Sequence, residues 1–561
     1  MKQRRKLLVT VLSMLMVIAM IAGCGKSNTA APEPEPPKSN TETPKENTTP
    51  PKEEEGPQTY KLGKEPLEIK LYGNYDWYVM PKWGDDEMTK WVQDNKKVTV
   101  TNIPNGGSAA QKLNTMIASG DLPDVIWGDK GPDVERLREA GLLVPIDEYI
   151  EKYPNLKKWL PEEAKNFLKS SDGKLYQFPN WYTSGANGNA GWVVNTKIYN
   201  ELGKPKLETT DDLYAYLKMV KEKYPDVIPF ETDLAAEGNG LEQIYSAFKE
   251  DNLAYTRYYA VPDGDQMKSI YKDEPFRESV VYAAKLFREG LMTQDAMTQT
   301  RDQVDEKLMN GRVAVYATSN PTLYASKADA ELRKKDPEAG YFMIWPIHKE
   351  GLDKNKIYPG TYTTDGWNVA LITTAAKDPE AVFEFLDWWT GPEGMALQYF
   401  GAPGEFWDGF EEDGETPKFT ENYAKEKDKL AEFQAFTDPL QWVGNTDYIN
   451  NVKGKIESTL SDAERNWATY WQYQITWKTQ GNATEFLNLS PLPDTEEGIA
   501  RQRAKDIWLK VRAQTLYAKS DEEALALLDK AYDDTMAAGF QKTLDYYSKK
   551  WAENKAITAG K

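Results

Sequence analysis

The chain has 561 residues, a formal net charge of −19 at pH 7, one cysteine and one histidine. That charge excludes nucleic acid and anionic surfaces as electrostatic partners. A single cysteine and a single histidine leave nothing for a disulfide framework, a catalytic Cys–His pair or a zinc site of the His or Cys type.

The chain opens on Lys2, Arg4, Arg5 and Lys6, followed by an uncharged apolar stretch from Leu7 to Ala22. This is too short for a comfortable transmembrane span, which needs ~20 apolar residues, and it has the layout of a signal peptide over residues 1–23. The order Ile21-Ala22-Gly23-Cys24 resembles the bacterial lipobox, which implies cleavage before Cys24 and acyl chains, palmitate among them, on the new N-terminal cysteine. Burial of each CH₂ then contributes roughly 0.8 kcal/mol to membrane binding. Residues 24–58 are mostly Pro, Lys, Glu, Thr, Ser and Asn, and read as a disordered tether. Treated as a coil, the tether reaches ~30 Å.

The remaining stretch of about 500 residues exceeds one hydrophobic core and predicts two or more lobes. Leu67, Ile69 and Leu71 alternate with polar residues as in a strand, VTVTNIP from Val98 reads as a second, and DVIWGD from Asp124 as a third. Between the last two, AAQKLNTMIASG puts Leu113, Met116 and Ile117 on one helical face and stops at Gly120. Such alternation predicts an α/β fold with a parallel sheet, whose ligands lie beyond the carboxyl ends of the strands. Trp127 and Asp129 fall at such an end, and Asp76 and Trp77 lie a few residues past another.

The segment MIASGDLPDVIWGD, followed by AGLLVPIDEYI, resembles the signature region of extracellular solute-binding proteins of family 1, the sugar-binding subunits of ABC importers. DGKLYQFPN, GWVVNTKIYNELGKPKLETTDDLYAYLK, LFREGLM, EKLMNGRVAVY and KDPEAVFEFLDWWTGPEGMALQYFGAPGEFW follow in the same order. The C-terminal YYSKKWAENK is similar to the large oligosaccharide-binding subgroup common in Gram-positive bacteria, while Glu411 to Asp494 matches no motif. The resemblance implies a two-lobed periplasmic-binding-protein type II-like fold with the ligand cleft between the lobes and three hinge crossings. These are expected near Phe178 to Gly188, near Gly311 and near Gly366 to Thr373. One lobe then holds 59–183 and 312–366, the other 184–311 and 374–561. The resemblance also implies hinge closure, a monomer, and delivery of an oligosaccharide to the permease subunits of an ABC transporter at the outer face of the cytoplasmic membrane.

The residue chemistry agrees. Sugar rings pack their C–H faces on aromatic rings and need planar polar partners for their hydroxyls. Tryptophan stands beside carboxylate or amide at Asp76 and Trp77, Trp127 and Asp129, Asn180 to Tyr182, Asp365 to Asn368, and Glu405 to Asp408. The candidate ligand-binding residues are therefore Asp76, Trp77, Trp127, Asp129, Trp181, Asp365, Trp367, Glu405 and Trp407, with Asn320, which follows the strand-like RVAVY. Trp389 follows Val382, Phe385 and Leu386 at helical spacing after Asp378 and Pro379, and reads as core. Trp192 lies inside a strand pattern and reads as core too.

No phosphate loop is present and His348 reads as a surface residue. No metal and no cofactor are expected; calcium through oxygen ligands stays open, but no loop matches D-x-[DN]-x-[DN]-G. The enzymatic alternative is a surface-tethered glycosidase, which needs only paired carboxylates. Cys24→Ser tests the anchor: fractionation should find the variant released, or retained uncleaved, where the wild type stays on the membrane. Membrane retention of a processed variant at the wild-type level contradicts lipidation.

Overall fold

The computed structural model describes residues 62–558 apart from 254, so the signal peptide, Cys24 and the tether lie outside the described residues. Two sheets carry the fold. In the first, the strands follow the order 98–102, 67–73, 125–128, 369–372, 177–179. Its first three are parallel, and 369–372 runs antiparallel to both its neighbours. Leu67, Ile69 and Leu71 point into the core as their alternation requires. The helix Ala109–Ser119 buries Leu113 and Met116 and ends at Gly120, whose φ of 71° suits a residue without a Cβ.

The second sheet has the order 341–344, 191–195, 313–318, 228–231, with 313–318 antiparallel to 191–195 and parallel to 228–231. Each sheet has its own apolar core. Three C-terminal helices, Glu496–Leu516, Asp521–Ala537 and Phe540–Thr558, share another core with the 245–276 region of the second lobe. Trp192 and Trp389 are core residues, as expected, at 1% and 0% exposure. Asp378 caps the helix Pro379–Thr390 by accepting from the Ala381 N–H.

The expected lobe boundaries need correction. The strand Val313–Thr318 belongs to the second sheet, as do the helix Pro321–Lys335 packed on it and the strand Tyr341–Ile344, so 312–366 does not join the first lobe. Conversely, the strand Val369–Ile372 completes the first sheet, and Leu440, Trp442, Ile449 and Val452 sit in the first core. VAVYAT is buried along its whole length, so it has no alternation to mark which sheet it enters.

The three crossings therefore run near 183–190, 345–366 and 460–480, and they are stitched together. Gly360–Tyr362 pairs in parallel with Gln480–Asn482, Gln480 Nε2 donates to the Ala190 carbonyl at 3.0 Å, and the Thr183 N–H donates to the Thr364 carbonyl at 3.2 Å. From the first lobe, Glu163 accepts from Thr364 Oγ1 at 3.3 Å and Asn482 Nδ2 at 3.1 Å. Asp447 accepts from Thr183 Oγ1 and the Ser184 N–H, both at 2.7 Å.

Candidate functional site

The strand pairing decides which side chains meet. Gly73 and Trp127 are partners at the carboxyl ends of two parallel strands, and Val369 starts the antiparallel strand opposite Gly128. The segments 74–78, 127–130 and 364–368 are thereby brought to one edge of the first sheet. Tyr75 stacks on Trp77 at 5.1 Å and on Trp367 at 5.9 Å between ring centroids, and Trp77 and Trp367 are within 12° of parallel at 6.4 Å. Trp127 meets Tyr75, Trp77 and Trp367 edge-on at 5.0, 6.1 and 5.8 Å. Trp77 and Trp367 are 60% and 51% exposed, whereas Trp127 is 3% exposed. Trp127 is thus the buttress of an aromatic wall, and Trp77 and Trp367 are its open face.

Beneath the wall lies a fully buried amide pair. Asn368 Oδ1 accepts from Trp127 Nε1 at 3.1 Å and from Asn180 Nδ2 at 2.9 Å, and Asn368 Nδ2 donates to the Tyr75 hydroxyl at 2.9 Å. That hydroxyl donates onward to Asp129 Oδ1 at 2.6 Å. Burial, reinforced by Asp129, pushes the Tyr75 phenol well up, so it stays protonated and able to donate. Asn180 also donates to the Gln441 carbonyl at 2.9 Å and accepts from the Gly444 N–H at 2.5 Å.

Trp181 is held in the left-handed region at φ 60°, a conformation that bulky residues rarely adopt. Its N–H donates to the Gly444 carbonyl at 2.8 Å, and its carbonyl accepts from Thr446 Oγ1 at 3.0 Å. A Cβ on Gly444 would lie 2.6 Å from the Trp181 ring, and one on Gly366 would lie 2.2 Å from the Asn180 carbonyl oxygen. The two glycines let three backbone segments close around Trp181. One cavity is lined by Trp181, Gly366 and Trp367 from the first lobe, by Asn187 and Tyr362 from the crossings, and by Arg257 from the second lobe.

The other expected residues divide. Asp365 is buried and ion-paired with Lys130, whose Nζ also donates to the Gly366 carbonyl at 2.7 Å; the pair fixes the turn that presents Trp367. Asp76 Oδ1 accepts from the Ala109 N–H at 2.7 Å and anchors a helix start. Asn320 begins the helix Pro321–Lys335 in the second lobe and accepts from Thr322 Oγ1 at 3.3 Å; it does not line the cavity. Glu405 and Trp407 stand apart from the site. Glu405 ion-pairs with Lys429 on the surface, and Trp407 is 1% exposed with its indole N–H donating to the Gly401 carbonyl at 2.8 Å. A core tryptophan beside a surface ion pair reads in sequence like a sugar contact. Tyr75 and Arg257 carry little sequence signal: Tyr75 is marked only by its place in YDWY, and nothing in TRYY singles out Arg257.

Among the described residues no group of three or more His, Cys, Asp and Glu is placed to hold a metal ion.

Residues 86–403, more than half of the chain, match the family model described as bacterial extracellular solute-binding protein. The chain belongs to that family. FusA of Streptococcus pneumoniae serotype 4, a fructooligosaccharide ABC transporter substrate-binding protein, is 31% identical over 229 residues, 37% of this chain and 42% of FusA. The polygalacturonan/rhamnogalacturonan-binding protein YtcQ of Bacillus subtilis strain 168 is 26% identical over 230 residues, 40% of this chain and 44% of YtcQ. Lipoprotein LipO of the same strain is 24% identical over 326 residues, 55% of this chain and 61% of LipO. The matches thus span less than two thirds of each relative. In fold, the chain is similar to crystallised FusA in complex with kestose, at TM-score 0.58 and 19% identity over 87% of this chain and 99% of that one. It is equally similar to a solute-binding protein from Bifidobacterium longum infantis, at TM-score 0.59 and 15% identity over 88% and 99%. Both neighbours are two-domain binding proteins, and this chain has their architecture.

The division of the wall into buttress and face is measurable without a ligand. Trp127→Ala should cost ~3 to 5 kcal/mol of folding stability in chemical denaturation, and Trp367→Ala should stay within about 0.5 kcal/mol of wild type. Equal losses would contradict the assignment.

Proposed function

We propose that the protein is a lipid-anchored extracellular binding protein that captures an oligosaccharide in its cleft and hands it to the permease subunits of an ABC importer. The observation that carries this reading is the aromatic wall of Tyr75, Trp77 and Trp367, whose Trp367 lines one cavity with Trp181, Arg257 and the amide of Asn187. Indole faces exposed to water are costly in a binding-protein cleft unless they meet an apolar surface, and the C–H face of a sugar ring is one. Amide and guanidinium groups along the same cavity replace the water that sugar hydroxyls lose. A relative named for fructooligosaccharide and another named for polygalacturonan support the ligand class. LipO, a lipoprotein, supports an anchor through Cys24.

Trp77, Trp181 and Trp367 would contact the sugar directly. Trp127, Asp129 and Asp365 act behind them, and Asp76 holds the loop. The stitched crossings form the pivot about which the lobes close, and binding is the function rather than turnover.

Kestose, maltotriose and trigalacturonate should be screened by thermal shift and calorimetry, then incubated with the protein and recovered. At least one should raise the melting temperature, by an amount equivalent to ~2.7 kcal/mol at a hundred times Kd, and be recovered intact. Shortened products that follow the protein through purification would favour the glycosidase reading instead.

A further inference from the structure

Asparagine followed by glycine is the pair at which a chain most readily modifies itself, because the glycine has no side chain to shield its nitrogen from the preceding amide. The chain has four such pairs, at Asn105, Asn187, Asn239 and Asn310. The fold restrains three of them and leaves one free.

At Asn105 both ends of the side chain are tied: Nδ2 donates to the Tyr75 carbonyl at 2.6 Å, and Oδ1 accepts from the Gly107 N–H at 2.8 Å. The second bond closes a turn of the chain on itself. At Asn239 it is the nitrogen of Gly240 that is tied, donating to Gln243 Oε1 at 2.8 Å. A Cβ on Gly240 would lie 2.3 Å from the Thr232 carbonyl oxygen, so the main chain there is closely confined. Asn310 caps the helix Arg301–Met309, and the Gly311 N–H donates to the Leu308 carbonyl at 2.9 Å.

Asn187 and Gly188 form the middle of the first crossing. The crossing is held at Thr183, which donates to the Gly185 carbonyl and to Asp447, both at 2.7 Å. It is held again where Gln472 Nε2 donates to Asn189 Oδ1 at 2.6 Å and Gln480 Nε2 to the Ala190 carbonyl. Between these points, among the described residues, no hydrogen bond engages the Asn187 side chain or the Gly188 N–H. Asn187 is half-buried and lines the aromatic cavity with Trp181, Arg257 and Trp367. Gly188 lines a second, polar cavity with Asn252, Arg257 and Gln480. Both reacting groups are therefore unrestrained and within reach of water.

We propose that Asn187–Gly188 is a site of spontaneous deamidation that alters the cleft as the protein ages. The Gly188 main-chain nitrogen gives up its proton and attacks Asn187 Cγ; a new C–N bond forms, the bond from Cγ to Nδ2 breaks, and ammonia leaves. Water then opens the cyclic imide at either carbonyl, leaving aspartate or isoaspartate at position 187. Both products exchange an amide donor for a carboxylate in the cavity that Arg257 lines, where it competes with a ligand for the guanidinium. The isoaspartyl product also adds a methylene to the main chain of the crossing. The effect on binding rests on the oligosaccharide reading, and the modification itself does not.

The test incubates the full chain in mildly alkaline buffer and follows the four asparagines by peptide mapping in a mass spectrometer. Position 187 should convert first, at least about fivefold faster than the other three, the rate factor equivalent to one hydrogen bond that has to be released. The rate should rise with pH, since the nucleophile is the deprotonated nitrogen. Conversion of another pair first, or of all four alike, would overturn the proposal. Asn187→Gln, whose longer side chain disfavours the ring closure, should show no conversion at 187. Affinity is then read by calorimetry on fresh and aged protein, with the tightest-binding of kestose, maltotriose and trigalacturonate as probe. Fully converted wild type should bind about tenfold more weakly than fresh protein, equivalent to one hydrogen bond to a charged group. Aged Asn187→Gln should bind as it did when fresh, and an equal decline in that variant would overturn the effect on the cleft. Failure of all three probes to bind fresh wild type would instead overturn the oligosaccharide reading and the effect on affinity with it, while the order of conversion still decides the modification.

Discussion

The aromatic wall depends on one buried contact, the hydrogen bond between the amides of Asn180 and Asn368. Both residues are at 0% exposure, and between them they fix nearly every ring of the site. Asn368 holds the Trp127 indole and the Tyr75 hydroxyl. The Asn180 carbonyl accepts from the Trp367 N–H at 2.9 Å, and its side chain draws in the Gly444 backbone that locks Trp181. Each of these bonds is worth about 1 kcal/mol net, but leaving any partner buried and unpaired costs ~1 to 3 kcal/mol. The network therefore has few intermediate states, and it presents Trp77, Trp181 and Trp367 in fixed orientations before any ligand arrives. Preorganisation of this kind reduces the ordering cost of binding.

The second lobe reaches rigidity by another route. At the carboxyl ends of 228–231 and 313–318, the fully buried Glu231 ion-pairs with the partly buried Lys307, which is also 2.7 Å from Asp295. Asp233, held at φ 61°, ion-pairs with Arg301 and accepts from the Tyr316 hydroxyl at 3.1 Å and Thr318 Oγ1 at 2.5 Å. Burial pushes the Glu231 carboxyl up, against the pull of Lys307. Breaking one member of such a cluster costs far more than the cluster contributes as a whole. The loop from Asp233 to Gly240, which leads into the Glu242 helix, is thereby fixed in place. One wall is set by amides and rings, the other by charges, and the stitched crossings join them.

The sequence carried the fold class because alternation, caps and motif order are local. PLEIKLYGN, the Gly120 stop and the Asp378 cap each formed as their residues require. It misplaced 312–366 because VAVYAT is buried throughout and has no polar face to give its sheet away. The site was partly legible. Trp77, Trp181 and Trp367 stand in loops beside polar residues, and the structure gathers Trp77 against Trp367 and sets Trp181 and Trp367 on one cavity. The same pattern at Glu405 and Trp407 marked a core indole and a surface ion pair. Trp127 looks identical to Trp367 in sequence; the difference is that Trp127 sits on a strand inside the sheet and Trp367 just before one. The polar cavity was invisible, since Gln480 lies far along the chain from Asn252 and Arg257 and only the tertiary fold unites them.

The central claim is that Asn368 serves binding through the wall it holds, and a double-mutant cycle tests it most directly. Affinity for one bound oligosaccharide should be measured for wild type, Asn368→Ala, Trp367→Ala and the double variant. If the amide acts by positioning the ring, the two losses overlap, and the double variant should bind more tightly than their sum predicts, with a coupling of ~0.5 to 3 kcal/mol. Strictly additive losses would show that Asn368 supports the fold alone and that the wall does not depend on it.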